Sequence, residues 1–379
     1  MNNKNKKVLI GLSGGVDSSV AALLLKQQGY DVEAVFMRNW DSATNSDING
    51  NPTLNDEVCE QEKDYQDAVR VANQIGIKIH KVDFIDEYWN KVFEYFLDEY
   101  RKNRTPNPDI LCNNEIKFKS FVEYAQKFNP DYIAMGHYAQ VDQTDINNPK
   151  LIKAVDNNKD QTYFLSQLES EQIKKVLFPI GHLTKPEVRK IALENNLINA
   201  TKKDSTGVCF IGERDFSGFL SNYLPAKSGD MRTLDGTFIK EHFGLMNYTI
   251  GQRKGLGIGG TQDGQEPWFV VGKDLKTNTL YVEKGFDHPY LYSDKAIITD
   301  VKWRGEKKSG KMFAKFRYRQ PDQDVFIKWL DDTTIEVTYP QKIKAVTPGQ
   351  AAAFYLDDVC LGAGFINEVF NEGKKRLYS

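Results

Sequence analysis

Cysteine and histidine are scarce in this chain of 379 residues, which holds four and five of them respectively. The cysteines stand at 59, 112, 209 and 360 with no Cys-x-x-Cys, which excludes a disulfide scaffold and a zinc site of ordinary spacing. His80, His182, His242 and His288 show no ligand spacing. Long apolar runs are missing too. The stretch after Lys7 is too short for a signal-peptide core and no later run could span a bilayer, so a cytosolic protein with no membrane partner is expected. Neither sign of charge dominates: 50 Lys and Arg face 52 Asp and Glu, for a net −2. That balance excludes indiscriminate coating of nucleic acid but permits a local basic face. At one domain per ~150 residues, two to three domains with sizeable cores are expected.

Against these absences stands the run Val8-Leu9-Ile10-Gly11-Leu12-Ser13-Gly14-Gly15-Val16-Asp17-Ser18-Ser19. An apolar strand enters a Gly-Gly turn and leaves as a helix, a pattern that suits a phosphate. Paired glycines let the backbone take positive φ and approach an anion, while the first helical turn points N–H groups and its positive dipole end at the same place. Ser13, Ser18 and Ser19 add hydroxyl donors. The run is neither G-x-x-x-x-G-K-[ST] nor G-x-G-x-x-G. It resembles the PP-loop pyrophosphatase signature, whose enzymes cleave ATP to AMP and pyrophosphate while adenylating a substrate; by that resemblance Asp17 lies near a metal or the pyrophosphate.

Alternating patterns continue through the first half. Strands are predicted at 32–37, 77–82 and 132–135, and helices running through 20–28 after a serine lead-in and at 60–75 (closed by Gly76), 86–102 and 115–128. This reads as a doubly wound parallel sheet. Ligands of such sheets sit beyond the carboxyl ends of the strands, where Ser13 to Ser19, Met37 to Trp40 and Gly136-His137 fall. The polar stretch Asp41 to Asn55 reads as a mobile surface loop and candidate lid. After about residue 215 the helical period stops. Short β-type runs separated by turn residues take over, for example 269–272, 279–282, 312–317 and 325–329, and the Gly-rich 247–260 reads as a connecting loop.

Two cysteines sit in chemically suggestive surroundings. In Thr105-Pro106-Asn107-Pro108-Asp109-Ile110-Leu111-Cys112-Asn113-Asn114 the prolines stiffen the backbone, so Asp109 and Cys112 are expected on a rigid loop, with Cys112 near the start of the next helix, where a thiolate is favoured. Cys209 lies in Asp204-Ser205-Thr206-Gly207-Val208-Cys209-Phe210-Ile211-Gly212, between turn residues and an apolar run. Cys59 and Cys360 are read as small buried hydrophobes. From residue type alone, Asp109 suits a general base and an Asx-type turn equally. Between Trp303 and Arg319, Arg304, Lys307, Lys308, Lys311, Lys315, Arg317 and Arg319 alternate with Trp303, Phe313, Phe316 and Tyr318, as expected for a surface that tracks phosphates and stacks on bases.

Seven motifs, in order, closely resemble the tRNA-specific 2-thiouridylase family along essentially the whole chain: 13–19, 107–113, 134–138, 159–165, 181–185, 204–212 and 248–257. The fold this implies is an α/β PP-loop domain (1–215), doubly wound and of the adenine nucleotide alpha hydrolase type, then a small β-rich central domain (216–286) and a C-terminal β-barrel (287–379). The activity implied is ATP-dependent 2-thiolation of the wobble uridine of tRNA, as a tRNA-uridine 2-sulfurtransferase. Carried over residue by residue, the resemblance places ATP, with Mg²⁺, on Gly11, Leu12, Ser13, Gly14, Gly15, Val16, Asp17, Ser18, Met37 and Gly136. Asn107, Pro108 and Asp109 would meet the target base. His137, Lys159, Asp160, Gln161, Tyr318, Arg319 and Gln350 would contact tRNA. Cys209 would carry a persulfide, and Cys112 would form a transient disulfide with it. Glutamate, glutamine and lysine tRNAs are the expected partners, with a persulfide donor such as a cysteine desulfurase or relay protein.

Three other readings remain open on residues alone. A glutamine-dependent PP-loop synthetase needs an amidotransferase domain, for which no nucleophile–histidine pair is evident. A non-enzymatic, ATP-gated tRNA-binding module would survive loss of both cysteines. The third keeps the enzyme but places an iron–sulfur cluster on Cys112, Cys209 and Asp109, with an open iron.

Overall fold

The computed structural model describes residues 3–56, 58–204, 215–259 and 266–377. They divide into two compact units, one of 1–93, 108–222 and 356–361, the other of 94–107, 223–355 and 362–379.

The first unit is built on a parallel five-stranded sheet in the order 78–83, 31–38, 7–11, 132–134, 176–177. Its central strands are sealed from water on both faces, which is why Val8-Leu9-Ile10 and Val32 to Met37 read as near-continuous apolar runs rather than alternating ones. Helix Val16–Gln27 packs Val20, Ala21, Ala22 and Leu25 into that core. Helix Glu60–Ile75 ends as predicted, with Gly76 in the left-handed region at φ 73° and its N–H returned to the carbonyl of Ala72. The strand order reverses between 7–11 and 132–134, so the crevice of the sheet opens at Gly11 and Met135-Gly136.

Two sequence expectations change here. Asp41 to Asn55 is tied down rather than open: Asn45 and Asp47 are buried, Trp40 Nε1 donates to Asp47 Oδ2 at 3.1 Å, and the Gly50 carbonyl accepts from Asp215 N at 2.9 Å. The Trp40 ring packs edge-on to Phe93, 4.9 Å between centroids, which anchors the start of this stretch. Cys59 is exposed just ahead of helix Glu60–Ile75, not buried, whereas Cys360 is buried as expected, its strand paired with Leu151.

The second unit holds a four-stranded sheet in the order 268–274, 279–284, 229–232, 238–242. Six strands ordered 292–303, 335–344, 323–329, 310–315, 351–356 and 359–371, in the second unit except for residues 356 and 359–361, pair first to last and close a barrel. Closure removes the edges that would otherwise invite aggregation. Val270, Leu280, Ile298, Phe316, Val337 and Ile366 belong to one apolar core. The Gly-rich stretch after Asn247 contributes Tyr248, Ile250 and Leu256 to that core and is more than a connector.

Candidate active site

The Gly-Gly loop is shaped by atoms that are absent. Gly14 has φ +77°, and a Cβ there would stand 2.3 Å from the Asp64 carbonyl oxygen. A Cβ on Gly136 would lie 2.7 Å from Ser18 N and Cα, and one on Gly11 2.6 Å from Met135 Sδ and 3.1 Å from Met37 Cε. The structure thus brings Gly11, Met37 and Gly136 together around the first turn of helix Val16–Gln27. Ser18 Oγ and Ser19 Oγ donate to the Gly15 carbonyl at 3.1 and 2.8 Å, so these hydroxyls brace the turn. Asn199 Nδ2 secures it further, donating to the Gly14 carbonyl and to Ser19 Oγ, both at 2.9 Å. Gly15 precedes the helix and no side chain caps its first N–H groups, an arrangement suited to a phosphate group.

Beside this loop lies a charged cluster in which Lys185 and Asp204 occupy positions that were only parts of motifs in the sequence. Asp17 Oδ1 accepts from Tyr138 Oη at 2.9 Å and from Lys185 Nζ at 2.7 Å. Lys185 also meets Asp204 at 2.8 Å, and Asp204 is further paired with Lys159 at 2.7 Å and Arg189 at 2.8 Å. Partial burial pushes the Asp204 carboxyl up, but hydrogen bonds from Lys159 and Lys185 outweigh it and hold the group down at about 2. Burial and then the facing Asp17 carboxylate push the Tyr138 phenol far above its usual range, so it stays a donor. Thr184 and Glu187 form a capping box that starts helix Lys185–Glu194 at Lys185 and so fixes where its ammonium projects.

Three expected tRNA contacts are placed differently. Asp160 is buried; its carboxylate accepts from Thr162 Oγ1 at 2.8 Å and from Ala154 N at 3.1 Å, a local structural role. Gln161 Oε1 accepts from Tyr138 N at 2.9 Å and aligns that residue toward Asp17. His137 is enclosed by Phe118 and Phe178, with Nε2 3.1 Å from Asn113 Oδ1. Burial, with a smaller contribution from Lys117, drives its pKa well below the ordinary value, so the ring is neutral.

Pro108 opens a helix rather than continuing the loop. Helix Pro108–Leu111 carries Asp109 in its first turn and passes directly into a wider π-helical stretch, Cys112–Ser120. Cys112 is therefore in the second turn and fully buried, not displayed on a loop. Asp109 is half-buried. Cys209 and Ser205 to Arg214 lie outside the described residues. Among the described residues no group of three or more His, Cys, Asp or Glu converges to hold a metal ion.

In the second unit, Tyr318 and Arg319 come after strand Gly310–Lys315, with the Arg319 guanidinium 5.8 Å from the Tyr318 ring. The basic tract is less available than its composition suggests. Arg304 is buried, Lys308 pairs with Glu306 at 2.7 Å, and Arg317 Nη2 donates to the Ile250 and Ala345 carbonyls at 3.0 and 2.9 Å. Gln350 Nε2 donates to the Thr105 carbonyl at 2.6 Å.

A parallel sheet whose order reverses beside a phosphate-shaped Gly-Gly loop, on a chain that continues into a β-sheet and a closed barrel, defines a nucleotide-binding α/β protein with β-rich appendages. Family models divide the chain accordingly: a tRNA methyl transferase HUP domain matches residues 6–213, a tRNA methyl transferase PRC-barrel domain 217–284 and an aminomethyltransferase beta-barrel domain 293–366. The chain belongs to the tRNA-specific 2-thiouridylase family. It is 75% identical over 374 residues to tRNA-specific 2-thiouridylase MnmA of Acholeplasma laidlawii (strain PG-8A), covering 99% of this chain and 100% of that one. Against the protein of the same name from Listeria innocua serovar 6a identity is 56% over 380 residues, covering 100% and 99%. Among solved structures it is similar to a 4-thiouridine synthetase in complex with RNA and bound ATP, at 16% identity and TM-score 0.34, covering 57% of this chain and 46% of that one.

Proposed function

We propose that this protein is an ATP-dependent tRNA-uridine 2-sulfurtransferase acting on the wobble uridine, with domains at 1–215, 216–286 and 287–379. The observation that carries the reading is full-length identity of 75% to a tRNA-specific 2-thiouridylase, joined to a loop built for phosphate. In it, Gly11 to Ser18, Met37 and Gly136 hold ATP. Asp17, its carboxylate held by Lys185 and Tyr138, would lie near a metal or the pyrophosphate, where Mg²⁺ would supply charge neutralisation for the departing group.

The C2 oxygen of uracil attacks the α-phosphorus of ATP and pyrophosphate leaves, because an oxygen at C2 is a poor leaving group until it departs as AMP. The terminal sulfur of a Cys209 persulfide adds at C2 and AMP is expelled. A persulfide is more acidic than a thiol, so this nucleophile forms at neutral pH without strong perturbation of Cys209. The Cys112 thiolate then attacks the Cys209 sulfur, breaking the S–S bond to the product; 2-thiouridine is released and a Cys112–Cys209 disulfide remains for an external thiol to reduce. Asn107, Pro108 and Asp109 meet the base, Asp109 taking the N3 proton. His137, Lys159 to Gln161, Tyr318, Arg319 and Gln350 form the tRNA-contacting set in this reading. Glutamate, glutamine and lysine tRNAs are the substrates, and a cytosolic cysteine desulfurase or relay protein supplies the sulfur.

Nucleoside mass spectrometry tests this. Unmodified tRNA incubated with protein, ATP–Mg²⁺ and a persulfide source should gain 2-thiouridine at the wobble position, and Cys112→Ser and Cys209→Ser should lose it. Thiolation retained in Cys209→Ser removes the assigned sulfur carrier. Activity that tracks bound iron across preparations would favour the cluster chemistry over the persulfide.

A further inference from the structure

The peptide joining Gly14 to Gly15 has no side chain on either flank, and a residue 185 positions after Gly14 decides which way it faces. Gly15 sits at φ −84°, where any residue fits, and a Cβ there would meet nothing closer than Ser13 Oγ at 3.4 Å. What glycine adds at this position is freedom to rotate: a half-turn of the peptide takes the Gly15 φ positive, which only glycine accepts cheaply. Two orientations of the Gly14 carbonyl are therefore open to the bare backbone.

Asn199 selects one of them. Its Nδ2 donates to the Gly14 carbonyl and to Ser19 Oγ, both at 2.9 Å, and Ser19 Oγ donates onward to the Gly15 carbonyl at 2.8 Å. Carbonyl and following N–H point to opposite sides of a trans peptide. Holding the Gly14 carbonyl on the Asn199 side thus turns the Gly15 N–H across the loop, where its contact is Ser13 Oγ at 3.4 Å, a bond long enough to yield to a phosphate oxygen. Only the amide nitrogen of Asn199 can face a carbonyl, so chemistry fixes the donor. Asn199 is 5% exposed, and its Oδ1 has no hydrogen-bond partner among the described residues. An apolar side chain would avoid that cost; the amide is explained by what its nitrogen holds.

The amide is set in place by its neighbours. Ile198 N donates to Gln74 Oε1 at 3.2 Å, and Arg189 Nη1 donates to the Ala200 and Lys202 carbonyls at 2.9 and 2.8 Å. Lys202 Nζ pairs with Asp64 and Asp67 at 2.7 and 2.8 Å. The Asp64 carbonyl is the atom that a Cβ on Gly14 would strike, so the helix packed against Gly14 also anchors the segment that carries Asn199. We propose that Asn199 is a positioning residue of the phosphate site: it locks the Gly14–Gly15 peptide so that the Gly15 N–H is presented to a phosphate of the nucleotide. The inference rests on the reading of Gly11 to Ser18 as the ATP loop.

The test separates phosphate binding from binding of the rest of the nucleotide. Asn199→Leu and Asn199→Ser are compared with wild type for the Kd of inorganic pyrophosphate with Mg²⁺, for the Kd of adenosine, and for Tm. A peptide released to rotate misplaces a backbone donor to a charged group, so pyrophosphate affinity falls about 10-fold to 100-fold in both variants, while adenosine affinity stays within about twofold. Equal weakening of pyrophosphate and adenosine makes Asn199 a general support of the fold and overturns the proposal, as does unchanged pyrophosphate affinity. Should Asn199→Leu lose its fold by Tm, Asn199→Ser, smaller and able to admit water, decides alone. Wild-type protein that binds neither ATP nor pyrophosphate would sink the parent reading, a result distinct from any variant pattern.

Discussion

Lys185 Nζ stands 2.7 Å from Asp17 Oδ1, tying the first turn of the nucleotide-loop helix to the first residue of helix Lys185–Glu194. The same ammonium reaches Asp204 at 2.8 Å, so two carboxylates share one cation. Lys185→Met leaves Asp17 uncompensated beside the position proposed for a triphosphate. Because Asp17 is a third exposed, solvent screens the repulsion, and the expected effect is modest: the ATP KM should rise about fivefold to tenfold. tRNA affinity should not change. An unaltered ATP KM would mean that this ion pair plays no part in nucleotide binding.

Gly136→Ala makes a sharper demand. The added methyl carbon would sit 2.7 Å from backbone atoms of Ser18, which cannot swing aside as a side-chain tip can. The helix start must shift away from the phosphate position, and calorimetric titration should show ATP binding weakened by at least about 10-fold with the fold retained. Wild-type affinity in this variant would remove Gly136 from the nucleotide site.

The buried imidazole of His137 links folding to pH. Its folded pKa lies well below the ordinary 6.5, so the unfolded chain binds the proton more readily. The stability it contributes is complete above that ordinary value and falls as pH drops below it. Between about pH 7 and pH 5, Tm should fall more steeply in wild type than in His137→Phe. Parallel slopes would show that the ring gains a proton without cost.

Lys273 shows the same sign of linkage at higher pH within the second unit. It is buried, donates from Nζ to the Asn103 carbonyl at 3.0 Å, and burial pushes its pKa down to about 7 from 10.5. The unfolded state holds the extra proton between those values, so stability rises as pH climbs from 7 toward 10.5. Lys273→Met removes that dependence. The wild-type minus variant difference in unfolding free energy should grow in favour of wild type by about 1 kcal/mol per pH unit just above neutrality. A difference that stays flat with pH would show the amine to be ionised in the folded protein.

Much of the first unit was legible locally. Val8-Leu9-Ile10 followed by Gly14-Gly15 carries strand, turn and helix in adjacent residues, and Gly76 closes its helix by a conformational freedom that only the residue type has to supply. The β-runs after 215 were recognisable for the same reason, while the closing of six of them into a barrel was not, because closure is a pairing of the first strand with the last. Pro108 shows the limit of local signals: proline both stiffens a loop and starts a helix, and here it starts one that carries Cys112 inward.

The phosphate loop, the parallel α/β sheet and the β-rich remainder were all dictated within short stretches of chain, because each rests on periodicity and turn chemistry among neighbouring residues. It took the folded chain to bring Lys185 to Asp17, to turn His137 and Asp160 inward, and to set Gln350 against Thr105 from 245 positions away. Burial and long-range hydrogen bonds depend on where distant segments are packed, and no spacing along the chain encodes that distance.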